Sequence, residues 1–243
     1  MKRSLERVKR ERRYIGKIID DWKTDKKEHQ KMVYDILNRI IPYVFVIVVA
    51  SFLGFIVENA WLGIRYGYFD NRGMILPGLL GYGLAIIGVF LILGTPDHPR
   101  FLWMDLSIGN KPAQLAYFVF TSAILVSAGE IALGAFVEKY CQIEWWNYSS
   151  LPLHIGKYTS VFTSIAFGLM ITIFMNSLFF SIMEWAMYIN LVILQTVIMI
   201  LFILLLADFL HEAKYMMKNK RINRRWKISF KTERNKKYYH STI

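Results

Sequence analysis

Three glutamates lie within or at the ends of apolar stretches of the sequence: Glu58, Glu130 and Glu138. An ionised side chain inside a bilayer costs about 3 kcal/mol on insertion scales, so such a residue is expected to serve a function. Glu130 precedes Glu138 by eight residues, which in an α-helix is a rise of about 12 Å. The two carboxylates can therefore line one side of a pathway at different depths, with Glu58 as a third.

Carboxylates in this setting suit a proton, a cation or the cationic group of a substrate. The alternative is structural, because basic residues in the neighbouring loops can pair with the glutamates and fasten loops to membrane spans. The candidates for such pairs are Arg65, Arg72, Lys139 and Lys157. A further alternative places Glu58 at the membrane interface, where it caps its span.

Arg72 is the cation that best fits a role between carboxylates. It follows Asn71 in a short polar turn after the first apolar run. Arginine can bridge two carboxylates with its planar fork, and it does not lose its charge. We therefore predict a buried Glu58–Arg72–Glu138 cluster, with Glu130 one or two turns deeper on the same pathway.

A second polar loop is rich in aromatic residues and contains Trp146, Asn147 and Tyr148. Tryptophan and tyrosine are enriched at the level of lipid headgroups, which is one interpretation of this loop. The other is a wall that faces a substrate, with aromatic faces available for cation–π contact.

The sequence lacks the residues needed for disulfides, for metal sites and for ATP hydrolysis. The single cysteine, Cys141, excludes an internal disulfide and a cysteine metal cluster. No histidine pair has the spacing of a zinc site, and no phosphate-binding loop of the G-x-x-x-x-G-K-[ST] type is present. We therefore expect no metal, no cofactor, no catalytic residues and no ATP hydrolysis by the chain itself.

Composition predicts an all-α, polytopic membrane protein. The 243 residues are 55% hydrophobic with a mean hydropathy of +0.32, and a bilayer crossing needs roughly 20 apolar residues. Five apolar segments occupy about 41–62, 75–94, 114–137, 158–180 and 185–207. The predicted organisation is a basic amphipathic helix or tail at 1–40, a transmembrane domain at 41–208 and a basic tail at 209–243.

Charge is concentrated in the two tails. Residues 1–40 carry 13 Lys and Arg against 7 Asp and Glu, and residues 209–243 carry 11 against 2. Such tails usually face the cytoplasm and its anionic lipids, and no nucleic-acid motif accompanies them. Two cytoplasmic tails require an even number of crossings, so either one of the five segments enters the membrane without crossing it fully, or one tail lies outside; we expect the former. The Gly- and Pro-rich stretch 73–83 makes 75–94 the first candidate.

A short internal repeat indicates duplication. Residues 54–58, GFIVE, match residues 134–138, GAFVE, and each pentamer ends an apolar run before an aromatic, polar loop. Many transporters are built from duplicated halves, with their sites where the halves meet.

These features together resemble the putative ABC-transporter type IV permease family, also called CmpB-like, over roughly 45–208. The family pattern is a Gly-x-x-x-Glu, an Asn-Arg-Gly, a closing Tyr-Gly, two glutamates around the third span and a Trp-Asp-Tyr-Ser loop. The matches here are Gly54 with Glu58, Asn71-Arg72-Gly73, Tyr82-Gly83, Glu130 with Glu138, Trp146 with Tyr148-Ser149, and Gly156.

This resemblance implies a permease-like transport component in a bacterial cell membrane, with its ATPase on a separate chain. The chain departs from the pattern at Asn147, where the family has an acidic residue, and at His154, where it has asparagine. A non-transporting protein that binds lipid or scaffolds an envelope complex is the main alternative. An intramembrane enzyme with glutamate as acid or base is a third, although carboxylates alone specify no reaction.

Overall fold

The computed structural model describes residues 2–188 and 192–230. The chain forms two compact units, one up to Ile41 and the other from Pro42 onward. The first unit consists of the start of helix α1. Of the apolar positions predicted to form its amphipathic face, only Trp22 lies among the described side chains, and it is exposed.

Six helices make up most of the described chain, which confirms the all-α prediction. They are α1 Lys2–Tyr66, α2 Leu80–Leu93, α3 Lys111–Cys141, α4 Val161–Ser177, α5 Phe179–Tyr188 and α6 Val192–Asn219. The strands are short: β1 Tyr68–Asp70, β2 Arg100–Phe101, β3 Met104–Asp105, β4 His154–Ile155, β5 Thr159–Ser160 and β6 Lys227–Ser229. They form three antiparallel pairs, β1 with β6, β2 with β3 and β4 with β5.

Fewer helices are long enough to cross a membrane than the five apolar segments predicted. Among the described residues three qualify, Thr24–Tyr66, Lys111–Cys141 and Ile193–Asn219, and α4 with α5 makes a fourth if the pair, bent by 43°, counts as one. Helix α2 has 14 residues, a length of about 21 Å against a hydrocarbon core of about 30 Å. The missing length of this segment is non-helical chain, residues 71–79.

Local sequence explains where some helices begin and bend. The Asn110 side chain accepts a hydrogen bond from the Ala113 amide at 2.9 Å and caps α3, with proline in its first turn. Pro42 lies inside α1. An internal proline removes one helical hydrogen bond, and the division between the two units falls at this point.

Helix α2 packs antiparallel to the apolar part of α1. The Leu79 amide donates to the Ser51 carbonyl at 2.9 Å, and further along α2 the Phe90 ring lies 6.0 Å from that of Tyr43. That this segment does not cross the membrane fully stays a prediction, since its helix alone is too short to span a bilayer. After the non-helical stretch the chain continues toward the Tyr43 end of α1, because its apolar residues join a core with Val46 and helices α3 and α4.

Residues 220–230, here called the C-terminal strap, pack onto the opposite end of the same unit. The fold was expected to end at Asp208, but α6 continues to Asn219 and strand β6 pairs with β1 directly after α1. Tyr43 and Gly67 are 24 residues apart, about 36 Å along a helix. The second unit thus begins at one end and carries its strap at the other. With three or four candidate spans among the described residues, the even number of crossings stays a prediction.

Candidate functional site

Glu58 lies at the centre of the first polar cluster. Its carboxylate accepts a hydrogen bond from the Tyr82 hydroxyl at 2.6 Å and an ion pair from Arg72 Nη2 at 3.2 Å. The Tyr82 ring crosses α1 at Gly54, one turn before Glu58, and a Cβ at Gly54 would lie 2.3 Å from its Cγ. Glycine, glutamate and tyrosine thus form a clamp that holds α2 against α1.

The second half of the chain repeats this clamp. The Tyr158 ring lies across Gly134, where a Cβ would meet Cδ1 at 2.5 Å, and the Tyr158 hydroxyl donates to Glu138 Oε2. Lys157 Nζ completes the cluster at 2.6 Å from Glu138. The equivalence of the two clamps gives the GFIVE and GAFVE match a structural basis.

The predicted Glu58–Arg72–Glu138 cluster forms only in part. Arg72 pairs with Glu58, as predicted, while Glu138 pairs with Lys157. Arg72 also bonds its own turn, because its backbone amide donates to Asp70 Oδ1 at 2.9 Å. Each half supplies its own cation, so no bridge between the two glutamates is required.

The two halves run in the same direction. The loop after α3 contacts the end of α1, where Arg65 Nη2 donates to Ser150 Oγ at 2.7 Å. The strap contacts the C-terminal ends of both α1 and α3, since it pairs with β1 and its Lys220 donates to the Tyr140 carbonyl at 2.8 Å. Parallel repeats of this kind, related by an axis along the membrane normal, occur in secondary transporters.

Tyr148 and Glu130 lie where the halves meet. The Tyr148 hydroxyl is 3.4 Å from Glu130 Oε1, and Thr159 Oγ1 donates to Glu130 Oε2 at 2.7 Å. Burial raises the pKa of Tyr148, the charges of Glu130 and Glu58 raise it further, and Arg72 acts in the opposite direction. Tyr148 therefore interacts electrostatically with both the first clamp and Glu130 of the second half.

Asp208 of α6 makes the non-helical segment possible. Its two carboxylate oxygens accept three hydrogen bonds of 2.8–3.0 Å from the backbone amides of Ile75 and Leu76. The Asp208 residue is only 5% exposed. Irregular backbone within an apolar layer is tolerated only where such groups are satisfied, so Asp208 is the residue that allows α2 to begin beside Ser51. This role was not predicted from the sequence, where its signal is an acidic residue directly after the last apolar run.

Asn71 anchors the strap and does not face Glu130. Its Nδ2 donates to the carbonyls of Met74 at 2.9 Å and Asn223 at 3.1 Å, and its Oδ1 accepts from the Arg225 amide at 3.2 Å. Asn71 is 2% exposed. Its position supports a structural role in the turn before Arg72.

Trp146 and Asn147 organise the second loop. Trp146 Nε1 donates to the Tyr158 carbonyl at 2.8 Å. Asn147 donates to Glu144 at 3.1 Å and accepts from the Ser149 amide at 2.8 Å. The bond from Lys157, then that from Asn147, lowers the pKa of Glu144. Of the predicted aromatic loop, Tyr148 alone reaches Glu130 among the described contacts.

The clamps predict that replacing a helical glycine with alanine affects stability differently inside and outside a clamp. Gly54→Ala should lower the free energy of unfolding by about 1 kcal/mol, because the added Cβ displaces the Tyr82 ring. Gly129→Ala, in α3 with no atom near its Cβ position, should be neutral or stabilising because alanine favours helix. Thermal unfolding of the detergent-solubilised variants measures both. Equal stability of the two variants would contradict a clamp at Gly54.

The architecture defines the class of this protein: a helical membrane protein with duplicated helix–loop–helix halves and glutamates at their breaks. The chain belongs to the family described as "Putative ABC-transporter type IV", whose family model matches residues 44–213. No curated protein and no solved structure matches the chain at a significant level. The family assignment made from the residue pattern is thereby confirmed.

Proposed function

We propose that this chain is the permease-like membrane component of an ABC transporter, a multi-pass protein of a bacterial cell membrane. The observation that carries the proposal is the break at 71–79. It opens an apolar segment beside Glu58 and brings Arg72 and Tyr82 to the junction with Tyr148 and Glu130. Transporters commonly place their sites at such breaks, where repeats meet.

The proposed pathway runs through this junction. Arg72 and Glu58 form its entrance, and Glu130 lies further along α3 among hydroxyl groups. Glu138 belongs to the second clamp and borders the pathway. The mixture of one cation, several carboxylates and tyrosine hydroxyls favours a substrate with a charged or strongly polar group. Ion pairs that only stabilised the fold would not require the non-helical stretch 71–79.

The strap end is the proposed cytoplasmic face. The exposed basic residues of the second unit cluster there, among them Lys139, Lys218, Lys220 and Arg224. Positive charge of this kind marks cytoplasmic loops and attracts anionic lipid headgroups. A separate ATPase subunit would dock at this end, and the loop between α2 and α3 lies at the other.

An ATPase subunit should therefore co-purify with the tagged chain from gently solubilised native membranes. Lys218→Glu, at the strap end, should lower its recovery several-fold, because it reverses a charge on the proposed docking face. Lys111→Glu, at the opposite end, is the control and should leave recovery unchanged. Mass spectrometry of the eluates for chains with a phosphate-binding loop is the measurement.

The same experiment tests the alternative function. The chain purified alone should hydrolyse no ATP, since it has no phosphate-binding loop. A stable preparation from native membranes that never carries a nucleotide-binding subunit would overturn the permease proposal. The exposed basic surface of the strap would then favour a protein that binds anionic lipid or scaffolds an envelope complex.

A further inference from the structure

The acidic groups at the strap end of the second unit differ in the kind of partner they have. Most are held by cations or by backbone amides: Glu58 by Arg72, Asp70 by Arg224, Glu138 and Glu144 by Lys157, Glu212 by Arg225, and Asp208 by the amides of Ile75 and Leu76. Ammonium, guanidinium and amide groups can only donate hydrogen bonds. They therefore favour the charged form of each carboxylate.

Glu130 has hydroxyl partners instead. Within the described chain its carboxylate bonds Thr159 Oγ1 at 2.7 Å and the Tyr148 hydroxyl at 3.4 Å, and no lysine or arginine lies within ion-pair distance. A hydroxyl donates to a carboxylate, and after rotation it accepts from a carboxylic acid. Glu130 is thus the one acid of this group whose partners suit both protonation states.

The hydroxyls continue from Glu130 into the contact between α3 and α4. Thr159 Oγ1 lies 3.0 Å from Ser164 Oγ, and Ser164 Oγ lies 2.6 Å from Ser127 Oγ. Thr159 is fully buried and Ser164 is 5% exposed. This row leads away from Tyr148, so Glu130 lies between the junction of the halves and a row of hydroxyl groups at the contact of α3 with α4.

We propose that Glu130 is the proton-carrying site of the transport pathway, a role that rests on the proposed function. A hydronium ion on the Tyr148 side transfers a proton to a Glu130 carboxylate oxygen, so that its own O–H bond breaks to leave water and one O–H bond forms on the carboxyl group. The Thr159 hydroxyl then turns to accept from the acid, and the proton leaves by the reverse step. The titratable groups that act on Glu130 are Tyr148 and Glu58, and Arg72 balances the charge of Glu58.

Infrared difference spectroscopy of the purified chain in lipid nanodiscs tests this role without knowledge of the substrate. Titration from alkaline to mildly acidic pH should produce a carboxylic acid C=O band that shifts in deuterated water. Glu130→Gln should lose this band, and Glu138→Gln should keep it, because Lys157 holds Glu138 in its charged form. Thr159→Val, which removes the hydroxyl and keeps the side-chain shape, should shift the band.

Two results would overturn the proposal. One is a wild-type protein without a titrating band, or a band that persists in Glu130→Gln. The other is stabilisation of the wild type by sodium chloride over choline chloride that Glu130→Gln abolishes, because Glu130 would then bind a metal cation. Thr159→Val keeps the test decisive if Glu130→Gln unfolds. Failure here leaves ATPase co-purification unaffected, so the two proposals are separately testable.

Discussion

Arg225→Ala is expected to lower the free energy of unfolding by about 3 kcal/mol, the lower end of the range for breaking a buried ion pair. Glu212, at 1% exposure, is held by Arg225 of the strap. Its other contacts are weaker, with His211 Nε2 at 3.8 Å and Asn223 Nδ2 at 3.4 Å, and its Oε2 has no hydrogen-bond partner within the part of the chain that the structure describes. Removal of the guanidinium leaves a carboxylate in the protein interior without a full counter-charge.

The neighbouring Arg224 provides a matched control. Its side chain is 53% exposed and lies 3.8 Å from Asp70, which keeps other bonds. Arg224→Ala should therefore change stability by less than about 1 kcal/mol, as is usual for exposed ion pairs. The double variant with Glu212→Gln should recover much of the stability that Arg225→Ala loses, because no charge is then stranded.

Cys141 offers an internal probe of the same effect. It is buried in a small apolar cluster with Val137 and Met216, against which Ile222 of the strap packs. Loosening of the strap should expose its thiol to a maleimide dye at a lower temperature than in the wild type. Equal thiol reactivity of the Arg225→Ala and Arg224→Ala proteins would show that Glu212 does not depend on the strap.

Local sequence predicted the apolar helices and the polar turns between them, because both depend on residues close in the chain. The clamps illustrate the limit of that information. Gly54 and Glu58 stand four residues apart in a readable motif, but the tyrosine that joins them is Tyr82, two dozen residues later. The contact of Tyr82 with Glu58 follows from the packing of α2 on α1, which the local sequence does not show.

The strap could not be predicted for a similar reason. Its residues look like a solvated basic tail, and a positive tail beside lipid is the ordinary interpretation. Their structural role depends on acids distant in sequence, since Arg225 meets Glu212 and Lys227 pairs across strands with Asp70. Likewise the predicted bridge from Arg72 to Glu138 was preferred to a pair with Lys157, a candidate that is nearer along the chain and takes that place.

The Glu58–Arg72 part of that prediction leads to the second large effect. Arg72→Ala is expected to lower the free energy of unfolding by about 2 kcal/mol, below the range for a fully buried pair. The reason for the smaller value is partial exposure, because the side chains of Arg72 and Glu58 are 18% and 20% exposed. Arg72 already has a φ of 51°, and alanine in its place adds no new kind of backbone strain.

Arg65→Ala is the control at the same end of the bundle. Arg65 donates to Ser150 at 2.7 Å in an exposed contact and stacks near Trp61, so its loss should cost less than about 1 kcal/mol. Adding Glu58→Gln to Arg72→Ala should restore stability and leave Arg65→Ala unchanged, a coupling that thermal unfolding of the three proteins and their combinations measures. If Arg72→Ala proves as stable as Arg65→Ala, Glu58 has enough support from Tyr82 alone, and the entrance of the proposed pathway carries a net negative charge that Arg72 does not balance.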